Sequence, residues 1–288
     1  MREWRAGAGW LWRAGAIAFA FACFGIGGLL LGAVVFPLSS LFVHPAARRS
    51  RHARVIICAL FRALLRSLRL LGLITYELRG VERLQRRGLL VLANHPTLLD
   101  VVFLIGFVPD ASCVVKSSLA NHPCTRGPLR AAGYVRNDGG FTLPAACAEH
   151  FGAGGNLIVF PEGTRTRPGQ SLWMQRGAAQ IALRAGVDIT PVHIRCEPPG
   201  LYKGQPWWQV ARRPLHFTVD VAEDLPTAPF LGAAGGETSL AARRLTAHLI
   251  TYFTEPHNDD HVETSHARAA ERHQGIAHFI ASAGRSEA

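Results

Sequence analysis

Acidic side chains are almost missing from the first quarter of this 288-residue chain. Residues 1–74 hold ten arginines against the single Glu3, a net +9, while the other 214 residues hold 21 basic and 19 acidic groups, a net +2. A nucleic-acid-binding surface would carry the excess charge on the folded domain, with aromatics and lysines interleaved, so nucleic acid is not an expected partner. Charge of either sign is absent from Ala14 to Val43. Those thirty positions exceed the ~20 apolar residues that span a bilayer as a helix. They are also too long for a signal-peptide core and lack a convincing cleavage site, so the segment is expected to stay in the mature protein. No phosphate-binding glycine-rich loop ending in Lys-Ser/Thr, no dinucleotide fingerprint and no internal repeat is present. The six cysteines (23, 58, 113, 124, 147 and 196) lack metal-ligand spacing, and read as free thiols of a reducing compartment. His257, His261 and His266 have no thiolates beside them, and no metal or cofactor is expected.

Arginines flank the apolar run on both sides: Arg2, Arg5 and Arg13 before it, Arg48, Arg49, Arg51 and Arg54 after it. Basic charge beside an apolar segment points to anionic lipid. The heavier second flank is expected on the cytoplasmic side of a single span, whereas a re-entrant or monotopic arrangement would keep both flanks there. Gly25, Gly27, Gly28 and Pro37 interrupt a straight span. From Val55 to Ile74, Arg62, Arg66 and Arg69 share one helical face, with Arg54 near it. This helix either lies in the headgroup region or packs on the domain with its arginine face outward. Three regions follow: membrane-anchoring helices at 1–74, a folded domain at 75–254 and a polar tail at 255–288.

Between Tyr76 and Asp224, strand-like and helix-like stretches alternate. Strands are expected at 74–79, 88–93, 112–116, 133–136, 156–160, 189–196 and 215–221, and helices near 97–107, 117–131, 141–153 and 174–185. A closing helix is expected at 239–254. The alternation predicts an α/β fold with a largely parallel sheet flanked by helices. Trp207-Trp208 falls in a loop rich in proline and glycine, either at the lipid interface or in ordinary loop packing.

Two short motifs carry the chemistry, Asn94-His95-Pro96-Thr97-Leu98-Leu99-Asp100 and Phe160-Pro161-Glu162-Gly163-Thr164-Arg165. Each follows a short apolar run that reads as a buried strand, with Pro96 placed to begin a helix. If the strands are parallel, both motifs open onto one edge of the sheet, where such folds place their ligands. A neutral imidazole can take a proton from an alcohol while a carboxylate holds its tautomer. Glu-Gly-Thr-Arg offers a glycine that lets backbone N–H groups approach an anion, and an obligate cation. Asn121-His122-Pro123 repeats the first tripeptide, but Gly127 stands where the carboxylate would be, so it reads as a structural turn. Lys116 reads as a solvated lysine.

Together the motifs resemble the glycerolipid (lysophospholipid) acyltransferases, the superfamily that includes bacterial 1-acyl-glycerol-3-phosphate acyltransferases. The resemblance covers residues 75 to 225, and Ile189-Thr190-Pro191-Val192-His193-Ile194 is similar to a further block of that family. It implies an O-acyltransferase with His95 as general base and Asp100 as its orienting partner. Gly163 and Arg165 would lie in the acceptor or phosphate pocket beside Thr164, and Glu162 would position Arg165. The donor implied is an acyl thioester on coenzyme A or acyl carrier protein, and the acceptor a lysophospholipid-like alcohol in phospholipid biosynthesis. The location implied is a membrane, the bacterial inner one, with the catalytic domain on its cytoplasmic side. One departure stands out: the family's second block carries an arginine six residues after a helix-ending glycine, and here that place holds Gly139. Either Arg136 substitutes, or the acceptor lacks the usual phosphate and is an amino-lipid, a glycolipid or a polyene lipid. A non-catalytic lipid-binding protein on the same fold is the remaining alternative.

Overall fold

A computed structural model of the protein describes residues 2–137, 143–206 and 208–255. Gly139, Trp207 and the polar tail with His257, His261 and His266 lie outside the described residues.

The folded domain is built on a seven-stranded sheet. Its strands are β1 (Ile74–Arg79), β2 (Leu90–Ala93), β3 (Ala111–Lys116), β4 (Val135–Asn137), β5 (Asn156–Val159), β6 (Ile189–Glu197) and β7 (Leu215–Val221), in the order β1-β7-β6-β2-β5-β3-β4. Every neighbouring pair is parallel except β6 and β7, so β1 and β7 run opposite to the other five. The exception has a topological cause. Parallel neighbours need a crossover, usually a helix, whereas β6 and β7 are joined by a loop alone and can pair antiparallel. The expected strands all form, with ends shifted by one or two residues.

β2 lies at the centre and pairs with β5 on one side and β6 on the other, Leu92 standing opposite Val159 and Ala93 opposite Val192. All four residues of β2 and of β5 are buried, as expected for strands covered on both faces. Side chains alternate between the faces. Val91, Ala93, Ile158 and Ile194 face one cluster, which also contains Leu65, Phe103 and Phe217. Leu90, Leu92, Leu157 and Val159 face the other, with Ile181, Leu245 and Cys147. Helix α4 (Asp100–Phe107) belongs to the first layer; α7 (Leu143–Gly152), α8 (Gly177–Ala185) and α10 (Thr238–Thr254) cover the second. The stretch expected as one helix at 117–131 is two, α5 (Ser117–Asn121) and α6 (Pro123–Ala132), separated at Pro123. A short α9 (Ala228–Ala233) precedes α10. All six cysteines are free.

At the N-terminus, α1 (Arg2–Leu30), a π-helical turn at Leu31–Val35 and α2 (Phe36–Ser39) form one continuous rod. Trp10–Ser39 is long and apolar enough to cross a membrane, and only 6% of its apolar window is buried. The rod lies against the domain. Trp12 Nε1 donates to the Leu71 carbonyl at 3.3 Å, and Arg13 donates to the carbonyls of Ala211 and Arg212. Further along, a Cβ on Gly28 would collide with the Cys124 carbonyl, and one on Gly32 would sit 2.9 Å from Gly127 Cα. Those glycines let rod and α6 backbones touch, as small residues do between membrane helices. The outward side stays apolar, with Leu11, Phe19, Ile26, Leu30 and Leu38 exposed, a surface suited to membrane association.

Helix α3 (Ala46–Leu70) packs on α4 and α6, but its arginines do not all face outward. Arg54 Nε pairs with Asp110 Oδ1 at 2.7 Å, Arg62 donates to the Gly106 carbonyl, and the Arg69 guanidinium lies 5.2 Å from the Tyr76 ring centroid. Arg66 and Arg69 remain exposed. Val55, Leu60 and Leu70 are exposed as well. Of the two expected arrangements the helix takes the second, packed on the domain, with Arg66 and Arg69 outward while Arg54 and Arg62 turn to a carboxylate and to carbonyls of the domain.

Candidate active site

The site begins where β2 ends. The Asn94 side chain continues the β2–β6 pairing in place of backbone, its Nδ2 donating to the Ile194 carbonyl (2.8 Å) and its Oδ1 accepting from Ile194 N–H (2.7 Å). The chain then leaves the sheet at His95. Pro96 does not start the helix as expected; α4 begins at Asp100. The reason is the intervening turn, which closes on the Asp100 carboxylate. Oδ2 accepts from His95 Nδ1 at 2.8 Å and from Thr97 N–H at 2.7 Å, while Oδ1 accepts from the Thr97 hydroxyl. Thr97 Oγ1 in turn accepts from Leu99 N–H at 3.2 Å.

Asp100 is fully buried at the first position of α4. Burial pushes its carboxyl above the ordinary value, against the lowering effect of its His95 and Thr97 donors. The positive end of the α4 dipole also favours the charged form. With Nδ1–H given to Asp100, the lone pair of a neutral His95 ring resides on Nε2. The ring is stacked on Phe160, centroids 4.2 Å apart and planes 25° from parallel.

The second motif arrives beside the first because β5 is the parallel neighbour of β2. Gly163 turns the chain at φ 65°, where a Cβ would collide with the Gln175 amide. Glu162 is buried, and one carboxylate oxygen accepts from His95 N–H at 2.7 Å while the other accepts from the Thr166 hydroxyl. Burial raises the Glu162 carboxyl above its ordinary value. Thr164 lies half-buried on the same turn. Arg165 Nη1 donates to the Leu201 carbonyl at 2.9 Å, and partial burial lowers its pKa. Glu162 and Arg165 therefore have separate partners, which corrects the pairing expected between them.

Leu201 also accepts from Leu98 N–H at 3.1 Å. Its φ of 57° is a left-handed conformation that costs a bulky residue about 1–3 kcal/mol, here held by two donors on one carbonyl. Thr97, Thr166 and the Leu201 loop were not singled out from the sequence. A hydroxyl two residues after the histidine was the available signal for Thr97; nothing local announces Leu201.

One edge of the sheet thus gathers His95, Asp100, Glu162, Gly163, Thr164 and Arg165. Arg136 is elsewhere. It is exposed on the edge strand β4, three strands from β2. At about 4.8 Å per strand, its backbone is on the order of 14 Å from the β2 row. Lys116 is exposed at the end of β3. Among the described residues, no group of three or more His, Cys, Asp or Glu is placed to hold a metal ion.

Residues 75–195 match the family model described as Acyltransferase. A 1-acyl-sn-glycerol-3-phosphate acyltransferase of Pseudomonas aeruginosa is 27% identical over 172 residues, 57% of this chain and 67% of that protein. A lyso-ornithine lipid O-acyltransferase of the same organism is 30% identical over 142 residues, 48% of this chain and 54% of that one. A Helicobacter pylori 1-acyl-sn-glycerol-3-phosphate acyltransferase is 32% identical over 110 residues, spanning 36% of this chain and 46% of its own length. The matched stretches thus span about half to two thirds of these curated relatives. The fold is similar to the crystal structure of the 1-acyl-sn-glycerophosphate (LPA) acyltransferase, PlsC, from Thermotoga maritima. The TM-score is 0.60 at 19% identity, covering 90% of this chain and all of that one. The family model falls on both motifs and on the strands that join them, so the sheet edge that holds the site is the part of the chain similar to the acyltransferase family.

Proposed function

We propose that the protein transfers a fatty acyl group from an acyl thioester, on coenzyme A or acyl carrier protein, to the hydroxyl of a lysophospholipid-like acceptor of the 1-acyl-glycerol-3-phosphate type. The observation that carries this reading is the 2.8 Å contact of His95 Nδ1 with a buried Asp100, beside the turn that holds Glu162 and Arg165. His95 Nε2 removes the proton as the acceptor oxygen attacks the thioester carbonyl. Asp100 stabilises the imidazolium that forms. Backbone N–H groups at the sheet edge stabilise the tetrahedral oxyanion. The intermediate collapses, the carbon–sulfur bond breaks, and the thiolate leaves with the proton returned by His95. Gly163, Thr164 and the remaining Arg165 donors are assigned to the acceptor's polar head. The apolar outer face of the N-terminal rod and α3 keeps the domain at the lipid surface, with the catalytic domain assigned to the cytoplasmic side of the inner membrane.

A second acceptor class is favoured by two observations, Gly139 in place of the family's second-block arginine and similarity to a lyso-ornithine lipid O-acyltransferase. The deciding experiment measures thiol release from labelled acyl thioesters by the full chain in vesicles. The panel holds lysophosphatidate, lyso-ornithine lipid and a lyso-glycolipid, with products identified by mass. Acylation of lysophosphatidate alone supports the first reading. Exclusive use of an acceptor without phosphate transfers the assignment to that class, and no thiol release with any acceptor rejects acyl transfer.

A further inference from the structure

We infer that Glu162 and Thr166 form a clamp on the backbone of His95, and that Glu162 is a positioning residue rather than a ligand of the acceptor. The inference rests on the proposed acyl transfer and assigns a role inside that site. Three hydrogen bonds close a ring. His95 N–H donates to Glu162 Oε1 at 2.7 Å, the Thr166 hydroxyl donates to Glu162 Oε2, and Thr166 N–H donates to the His95 carbonyl at 3.0 Å. The donor and the acceptor of the His95 main chain are therefore both held from the loop that follows β5. The ring is held separately, by Asp100 at Nδ1 and by Phe160 against its face. Glu162 is 5% exposed, and each of its oxygens is engaged by the protein's own donors. A carboxylate so placed has no edge to offer a substrate. Its position also suits an anionic acceptor poorly, since like charges repel.

The clamp explains why a buried acid belongs beside an anion site. Asp100 orients the ring of His95 but cannot place its Cα, because Asp100 and His95 share one short turn. The second motif fixes the height of that turn above the sheet from a different strand. A displacement of about 1 Å at a catalytic group costs on the order of a hundredfold in rate, so the clamp should act on turnover and not on acceptor affinity.

The test uses the full chain in vesicles with a long-chain acyl-CoA and the acceptor of the panel that the wild type acylates. Thr166→Val keeps the shape of the side chain and removes the hydroxyl. It should lower kcat about tenfold to a hundredfold with the acceptor KM unchanged, and Thr166→Ser should restore most of the loss. Glu162→Gln should also act on kcat, and the double variant should be no worse than the worse single variant, because one device is lost twice. A raised acceptor KM at unchanged kcat in Glu162→Gln would overturn the inference, as would a Ser variant as poor as Val. NMR of the His95 ring provides a readout free of turnover. Thr166→Val must shift its resonances, and unchanged resonances would also overturn the clamp. Absence of thiol release by the wild type with every acceptor of the panel would reject acyl transfer itself, leaving the clamp to be judged on the resonances alone.

Discussion

The chain contains the tripeptide Asn-His-Pro twice, and the two copies fold differently. At Asn94-His95-Pro96, the histidine Nδ1 donates to a buried carboxylate five residues on, and no helix begins at the proline. At Asn121-His122-Pro123, the histidine Nδ1 instead accepts from Cys124 N–H at 3.4 Å, with Pro123 opening α6. The second copy is an exposed helix cap. Its helix then receives Gly28 and Gly32 of the N-terminal rod. The same three residues thus meet a buried carboxylate in one place and cap the helix that seats the N-terminal rod in the other. Asp100 and Thr97 make the difference, by competing successfully for the turn after His95.

The comparison can be broken most severely at Asp100. Asp100→Asn keeps the size of the side chain but permits the wrong tautomer of His95, and kcat should fall on the order of 10³–10⁴-fold. Stability should move the other way. Burial raises the folded-state pKa of Asp100, so the native state holds this proton more tightly than the unfolded chain does. The associated stability is present below the ordinary carboxyl value of about 3.9 and is lost as pH rises through the elevated one. Melting curves across that range should therefore show wild type losing ground to Asp100→Asn as pH increases. Next in size is Thr97→Val, which removes one of the three donors to Asp100. It should reduce kcat about tenfold to a hundredfold in steady-state thiol release.

The smaller effects sharpen the second copy. Gly28→Leu forces a side chain against the Cys124 carbonyl, and overpacking of that kind costs about 1–3 kcal/mol, to be read by thermal melting in detergent. His122→Ala removes a helix cap and should cost about 1 kcal/mol without changing kcat. A loss of turnover in His122→Ala would erase the contrast between the two tripeptides.

Much of the arrangement was legible before any coordinates. The short apolar runs before each motif marked strands, and adjacency of β2 and β5 followed the expectation that both motifs open on one edge. The antiparallel return of β7 was less visible, because a proline- and glycine-rich loop carries no periodic signal. For helix α3 the sequence leaves two arrangements open, and the packed one forms. A stripe of arginines at helical spacing records which side is charged, not whether that side meets headgroups or a protein's carbonyls. Arg62 and Arg69 found Gly106 and Tyr76. The partner of Glu162 was also hidden, since a Glu–Arg pair within one motif is the simplest local guess. The actual contacts cross 67 residues of sequence to His95 N–H and leave Arg165 to the carbonyl of Leu201. Contacts of that range depend on strand order, which local pattern does not encode.

The most direct measurement is turnover of His95→Ala in vesicles, followed as thiol release from acyl-CoA with an acceptor that the wild type uses, alongside circular dichroism of the same preparation. The expected result is native dichroism with turnover reduced on the order of 10⁴-fold. Wild-type turnover in a folded His95→Ala protein would contradict the assignment of the imidazole as the base that activates the acceptor.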